Sequence, residues 1–435
     1  MSGKLEVEAA LFLLAGFFAL MFLVGYRTRF AAFVSWFLML SLQARNPLVL
    51  QGSDRLLNLL LFWSLFLPLG ARLSFDQALA PSSHQKLPDP VLSIGSAAYF
   101  TQIVLVYWIT AARKLFAAPL PVWKEGLGIY YSLSVDQFAT PLGSYLLHFP
   151  FLLKFLNYTI LGFEIVGPLL LFSPFATVPV RMAALLGFLL LQVGFRLCLE
   201  VGLFPWIALA AMLPFLPAAF WNKISWPLER FETWWQQFAA TLKKQFSNLA
   251  FLRPWCGRLL ALFCLIYVLV WNTENVNPQY GVPRPLRWFG IMFGLDQRWA
   301  MFASPPQSGG WYVIQGKLKN ESLVDLYKDG RPLSWEKPPL VSATFKDQYW
   351  RKYMESLLRP THSKARLYFA QYLCREWNGS HKGDTLLREL KIYFMSEKTL
   401  SNNPEAAPKI KLLWSHQCFP PVKKEAPDKP EPAKK

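Results

Sequence analysis

Ionisable residues are scarce in this chain: 17% of its 435 residues are charged, against 53% hydrophobic. So few charges exclude an ordinary water-soluble protein of this length. Cysteine is scarcer still. The five thiols are scattered, with no CxxC pair and no Cys/His spacing suited to zinc, which excludes a zinc module and a thiol redox motif of the chain's own. Acidic residues are outnumbered by basic ones, 27 to 45, for a formal net charge of +18. The Lys and Arg residues stand at the ends of apolar blocks and in loops, where they set membrane topology and meet anionic lipid. Membrane lipid is therefore the expected partner, and no nucleic acid is. A lone signal peptide is also lacking, because the first apolar block is long and is followed at once by others.

What is present is a succession of apolar blocks of roughly 17 to 25 residues, the length a helix needs to cross a bilayer core. They predict an all-α multi-pass membrane helix bundle of about eight spans, near residues 7–26, 30–44, 55–70, 91–112, 152–173, 179–198, 201–221 and 257–272. Between the fourth and fifth, PVWKEGLGIYYSLSVDQFATPLGSYLLHFP is aromatic and Pro/Gly-punctuated, as an interfacial or re-entrant piece would be. Residues 222–256 form a basic linker carrying Lys223, Arg230, Lys243, Lys244 and Arg253, with the pattern of an amphipathic helix on the membrane surface. Retained Lys and Arg place that linker in the cytoplasm, with Arg27 and Arg29. Lys114 and everything beyond residue 273 then fall on the opposite side. Residues 274–420 change character. WYVIQGKL, LVDLYKDG, ELKIYFMSEKT and KIKLLWSHQ read as strands, and KDQYWRKYMESLL and ARLYFAQYLCREW as amphipathic helices, giving a small extracytoplasmic α+β domain. Cys374 and Cys418 lie in it, and a disulfide between them is one expectation. The tail 421–435, rich in Pro, Lys and Glu, cannot build a core and is expected to be disordered. No internal repeat is visible.

Several polar groups fall inside apolar segments. The fourth span runs into Arg113 and Lys114 before a proline turn. One reading has both cations snorkel to the headgroups; the other holds one of them as a base at the mouth of a membrane-embedded pocket. Glu164 stands near mid-span, where an ionised carboxylate must be protonated, paired or exposed to a hydrated cavity. Gln192, Arg196 and Glu200 repeat every four residues, which predicts one inward-looking face, either a hydrogen-bond network or a site lining. Cys198, Cys256 and Cys264 read as small core residues. Asn46, Asp54, Arg55 and Asp76 read as loop and turn residues closing the far side. Asn320-Glu-Ser and Asn378-Gly-Ser match the glycosylation sequon, a frequent chance match.

Residues 41–76, 107–126, 157–174 and 201–221 together resemble the HTTM (horizontally transferred transmembrane domain) family, relatives of vitamin K-dependent gamma-carboxylase. The blocks are SLQARNPLVLQGSDRLLNLLLFWSLFLPLGARLSFD, YWITAARKLFAAPLPVWKEG, NYTILGFEIVGPLLLFSP and VGLFPWIALAAMLPFLPAAFW, and the likeness spans roughly residues 7–221. LDQRWAMFASPP resembles the start of the extracytoplasmic domain of bacterial members, which implies a bacterial inner membrane with the C-terminal domain outside. The resemblance further implies an HTTM-like domain over 1–221, with 257–273 as a last span. It implies a reduced quinone of the vitamin K type, entering from the bilayer, and a protein or peptide substrate on the extracytoplasmic side. Lys114 matches the proposed quinol-deprotonating base, with Trp123 and Gly126 fitting the following W-x-x-G, although PLP lengthens the intervening segment. Arg196 and Glu164 would position charges. Where the family often has histidine this chain has Gln192, which cannot exchange protons at neutral pH. Family members also carry a further amino-terminal helix and loop that this sequence lacks, as expected of a late start or a reduced form. Two functions follow: a quinol-using membrane enzyme, or a non-catalytic scaffold presenting the C-terminal domain. A weaker third is a quinone-linked partner of a thiol oxidoreductase.

Overall fold

A computed structural model describes residues 5–72, 74–79, 92–117, 121–221, 254–398 and 407–419, together with 223, 233, 234 and 237. The chain divides into two compact units, Met1–Pro306 and Gln307–Lys435.

The first unit is helical. Its elements are α1 (Leu5–Val24), α2 (Thr28–Arg45), α3 (Gly52–Ser64), α4 (Phe75–Leu79), α5 (Ile94–Ala112), α6 (Gly128–Leu133), α7 (Pro141–Leu146), α8 (Pro150–Leu170), α9 (Thr177–Cys198), α10 (Phe204–Met212), α11 (Pro254–Val276) and α12 (Arg287–Phe293). Leu5–Val24, Ile94–Ala117, Pro150–Leu170, Thr177–Cys198 and Trp255–Val276 are long and apolar enough to cross a membrane. Three of the eight expected segments form lesser helices. The 13 residues of α3 rise only about 20 Å, short of the roughly 30 Å bilayer core. The nine residues of α10 end in a 3-10 turn at Leu213–Phe215. The 18 residues of α2 carry Thr28, Gln43 and Arg45.

These shorter helices build the centre of the unit. Trp36 of α2, Leu56, Leu59, Phe62 and Trp63 of α3, and Phe204, Ala208 and Ala211 of α10 enter one buried cluster with α5, α9 and α11. By contrast, α1 has no buried residue. Leu295 and Trp299 belong to the same cluster, so the helical unit continues past its last long helix to Pro306. This moves the domain boundary from the expected residue 274. Arg55 forks onto Asp296 through Nη1 and Nη2 at 2.9 and 3.2 Å, and Asn58 donates to the Gly294 carbonyl at 3.2 Å. Gln102 donates to Gln297 at 2.7 Å. LDQRWAMFASPP is thus part of the helical unit, because its polar groups find their partners there.

Asp76 accepts from the Arg27 and Thr28 amides at 2.8 Å each, and its carboxylate ends the chain reversal at the start of α2. Asn46 accepts from the Leu48 amide. Asp54 accepts from the Gln51 amide at 2.8 Å, closing a capping box on α3. Of these residues expected in loops, only Asn46 lies outside a helix: Asp54 and Arg55 stand in the first turns of α3 and Asp76 in α4, where their side chains tie helix starts, with Arg55 reaching much farther along the chain. Cys264 is buried in the core, whereas Cys198 and Cys256 are only half-buried. The amphipathic linker expected over 222–256 and the tail 421–435 lie largely outside the described residues.

The second unit is a five-stranded antiparallel sheet, β1 (Ser308–Leu318), β2 (Leu323–Asp325), β3 (Arg331–Pro332), β4 (Leu387–Lys398) and β5 (Lys409–Gln417), in the order β3-β2-β1-β4-β5. Its helices are α13 (Gln348–Leu357) and α14 (Ser363–Ser380). Gly309–Ile314 of β1 are buried in succession, because both faces of the central strand are covered. Tyr312 donates to the Met354 carbonyl of α13 at 2.7 Å on one face. On the other, Trp311 and Val313 pack with Val341, Leu333 and Phe345. Cys374 of α14 is disulfide-bonded to Cys418. LVDLYKDG is strand only over Leu323–Asp325, since Asp325 then caps a 3-10 turn through the Tyr327 amide. Asn378 is tied to Leu387 at both ends of its amide, at 2.7 and 3.2 Å, and the Asn320 side chain closes a turn onto Ser322. Both sequon asparagines are turn or strand-end braces.

Candidate functional site

The fourth long segment does not stop where α5 ends. Its last turn, Arg113–Ala117, is wound as a π-helix, and such a turn re-aims the side chains it carries. Lys114 turns inward and is 2% exposed. Its Nζ donates to both oxygens of Glu164, at 2.7 and 2.8 Å, and Glu164 is 3% exposed. The sequence places these residues in different segments, and the fold joins them as one buried ion pair between α5 and α8. Snorkelling is thereby ruled out for Lys114.

Glu164 faces Lys114 because of the spacing on α8. Leu153, Asn157, Leu161, Glu164, Gly167 and Pro168 are its buried residues and form one stripe at helical period. Pro168 has no amide hydrogen to give the carbonyl four residues earlier, that of Glu164 itself, so the helix is loosened at the residue bearing the carboxylate. One turn-pair earlier on the same face, Asn157 fastens the segment that follows residue 121. It donates to the Trp123 carbonyl at 2.9 Å and accepts from the Ile129 amide at 3.3 Å. Tyr158 adds a bond to the Lys124 carbonyl at 3.0 Å.

That segment brings Trp123 over the ammonium. Lys114 Nζ lies 3.9 Å from the centre of the Trp123 ring, whose face attracts a cation. Two glycines make this possible. Gly126 turns the chain with φ +81°, and a Cβ on Gly128 would fall 2.3 Å from the indole, so only a bare backbone lets the ring lie there. The indole nitrogen donates to the Phe302 carbonyl at 2.8 Å, and Phe302 itself holds φ 51°, a left-handed conformation costly for a bulky residue.

Tyr107, seven residues before Lys114 on α5, is buried and accepts from Gln192 Nε2 of α9 at 3.0 Å. Gln192 Oε1 is buried without a hydrogen-bond partner among the described residues. The Tyr107 ring also borders an apolar cavity of about 10 Å³ lined by Leu56, Ile103, Val106, Ala208, Ala211 and Met212, space for about one water.

The expected inward face of α9 holds for Gln192 alone. Arg196 and Glu200 are nearly half exposed and pair with each other at 3.5 Å. The buried positions on α9 are Ala184, Phe188, Leu191 and Gln192, and a period of 3.6 carries this stripe on toward Phe195. A strict four-residue repeat drifts about 40° per step, enough to swing Arg196 outward. Glu200 lies beyond the helix end, where its amide bonds the Phe138 carbonyl. Arg196 is thus not brought to Lys114 and Glu164. Tyr107, Trp123 in its contact role and Asn157 were not expected; the seven-residue spacings 107/114 and 157/164 are the sequence signal that marks them.

Among the described residues, no group of three His, Cys, Asp or Glu side chains could hold a metal ion. No protein-family profile, curated protein or solved structure matches this chain.

Proposed function

We propose that this protein is an integral membrane enzyme of the carboxylase-like HTTM group, acting on a lipid-soluble quinol and on a protein or peptide substrate. The observation that carries the reading is the Lys114–Glu164 pair, sealed inside an apolar bundle under the Trp123 ring. In such surroundings a proton can pass from the Lys114 ammonium to Glu164 along an existing hydrogen bond, leaving the pair neutral overall as before. The freed amine can take the hydroxyl proton of a quinol, and the regenerated ammonium then faces the quinolate while Glu164 holds its own proton. Tyr107 and Gln192 stand on the inner side of the centre. Arg196 takes no part in this scheme.

In this reading α2, α3 and α10 complete an eight-segment membrane domain, and the C-terminal domain lies outside the cytoplasm of a bacterial inner membrane. Single cysteines placed near residue 240 should be labelled only from the cytoplasmic side and those near residue 330 only from outside. Opposite labelling would remove the geometry in which an extracytoplasmic substrate reaches Lys114.

The decisive experiment follows oxidation of a reduced naphthoquinone by the purified full-length protein under oxygen, with and without bicarbonate. Turnover is expected from the wild type and not from a Lys114→Met/Glu164→Leu double variant, which replaces both charges by apolar groups and so keeps the helices packed. The bidentate tie between α5 and α8 favours a second reading, a membrane scaffold in which the pair only fastens helices. A folded wild-type protein with no quinol turnover would establish that one.

A further inference from the structure

In the sheet unit β5 is the last strand, so one of its edges keeps backbone groups that no strand among the described residues pairs. Its pairing with β4 decides which way its side chains stand. Leu412 lies opposite Tyr393 and Ile410 opposite Met395, which puts both on the face where Trp311 and Val313 pack. Leu333, Val341 and Phe345 cover β1 and β4 on that face, and the Trp335 ring meets Tyr393 at 5.0 Å, yet Ile410 and Leu412 beside them are 60% and 52% exposed. Lys411 lies opposite Phe394 and Lys409 opposite Ser396, on the other face, and both are exposed. The strand thus offers an open edge with apolar side chains on one face and cations on the other.

We infer that the β5 edge is the docking site for an extended segment of a partner protein in which acidic and apolar residues alternate. A strand added there continues the pleat: its residues opposite Ile410 and Leu412 meet apolar side chains, and those opposite Lys409 and Lys411 meet cations. The lysines also argue against a second copy of this chain, since antiparallel self-pairing that matched Ile410 with Leu412 would set Lys411 against Lys411. The surface belongs to the sheet unit alone and holds whether the helical unit is an enzyme or an anchor.

The test titrates purified full-length protein in detergent into a fluorescently labelled peptide of about eight residues alternating glutamate and valine, an ordinary strand length, and follows anisotropy. Saturable binding is expected, about tenfold or more tighter than to a peptide of the same composition with the two residue types in blocks, or to one alternating lysine and valine. A Lys409→Glu/Lys411→Glu variant, changed only at exposed positions, should lose the glutamate peptide and gain the lysine one. Hydrogen exchange of the β5 amides should slow when the peptide is bound. No saturable binding, equal binding of the block peptide, or an unchanged preference in the folded double variant would overturn the inference. So would dimers in detergent dispersed by Leu412→Asp, which assign the edge to a second copy, or binding that appears only after residues 420–435 are removed, which assigns it to the chain's own end.

Discussion

The two units differ most in what they expose. In the helical unit, α1 leaves Leu11, Phe12, Leu13 and Phe17 exposed and buries none of its residues, while Lys114, Glu164, Gln102, Gln192 and Gln297 are enclosed. In the sheet unit, β1 encloses Trp311, Val313 and Ile314, and charges such as Lys319, Arg388 and Lys409 lie outside. Exposed apolar helices of spanning length are what a lipid-facing unit presents, and exposed charges over an apolar core are what a water-facing unit presents. Where lipid is the solvent, apolar surface costs nothing to expose, and helices gain specificity from polar groups that must find each other. Where water is the solvent, area removed from it drives the fold. It follows that polar truncations should hurt the first unit most, and loss of cross-links or packing the second.

The largest effect is expected for Lys114→Ala. Glu164 would be left buried and unpaired, at a cost of about 3–5 kcal/mol, and detergent-solubilised protein should melt earlier and be recovered in lower yield. Adding Glu164→Leu should restore most of the loss. An unchanged melting point in the single variant would remove the contrast between the units.

Next comes the Cys374–Cys418 bridge, which closes a span of 44 residues. Replacing both cysteines by serine should lower the stability of the sheet unit by about 3–4 kcal/mol, by restoring freedom to its unfolded chain. Mass shift on alkylation before and after reduction checks the bridge; denaturant melts followed by near-UV signals of the unit's tryptophans check its worth.

A smaller effect concerns pH. Burial raises the Asp325 carboxyl above its ordinary value, only partly offset by the Tyr327 amide and by Lys328 at 4.0 Å. Its proton is therefore released more readily in the unfolded chain. Stability contributed by this group is present below the unfolded pKa and declines as pH rises through the window up to the folded pKa. Asp325→Asn keeps the acceptor that caps Tyr327 and should flatten that decline, with a gain over wild type that grows with pH and vanishes in acid. A pH series of melts that stays parallel for the two proteins would contradict it.

The smallest effect is predicted for Arg196→Ala. An exposed pair at 3.5 Å contributes at most about 1 kcal/mol, so yield and melting should stay near wild type. A large loss would mean that the outward side of α9 is covered in the membrane and that the burial contrast extends further than the single chain shows.

Much was legible beforehand. Apolar run length announced Leu5–Val24, Pro150–Leu170, Thr177–Cys198 and Trp255–Val276, because about twenty predominantly apolar residues in a row have few other uses. β-branched and aromatic runs between turn residues announced β1, β4 and β5, and the amphipathic spacing of 348–357 and 363–380 announced α13 and α14. The sequence also marked Lys114 and Glu164 as groups needing an explanation, since neither charge is tolerated alone in hydrocarbon. It did not say that each explains the other. They are fifty residues apart, and a pattern along one helix carries no information about which neighbour faces it. The same limit misplaced Arg196, where a repeat of four was read as a face although the 3.6-residue turn rotates it away. It hid the place of 295–303 too, because Gln297 and Asp296 become interior only once Gln102 and Arg55 lie opposite. Local composition fixes which segments leave water; the pairing of polar groups across the bundle is long-range, and only the packed helices decide it.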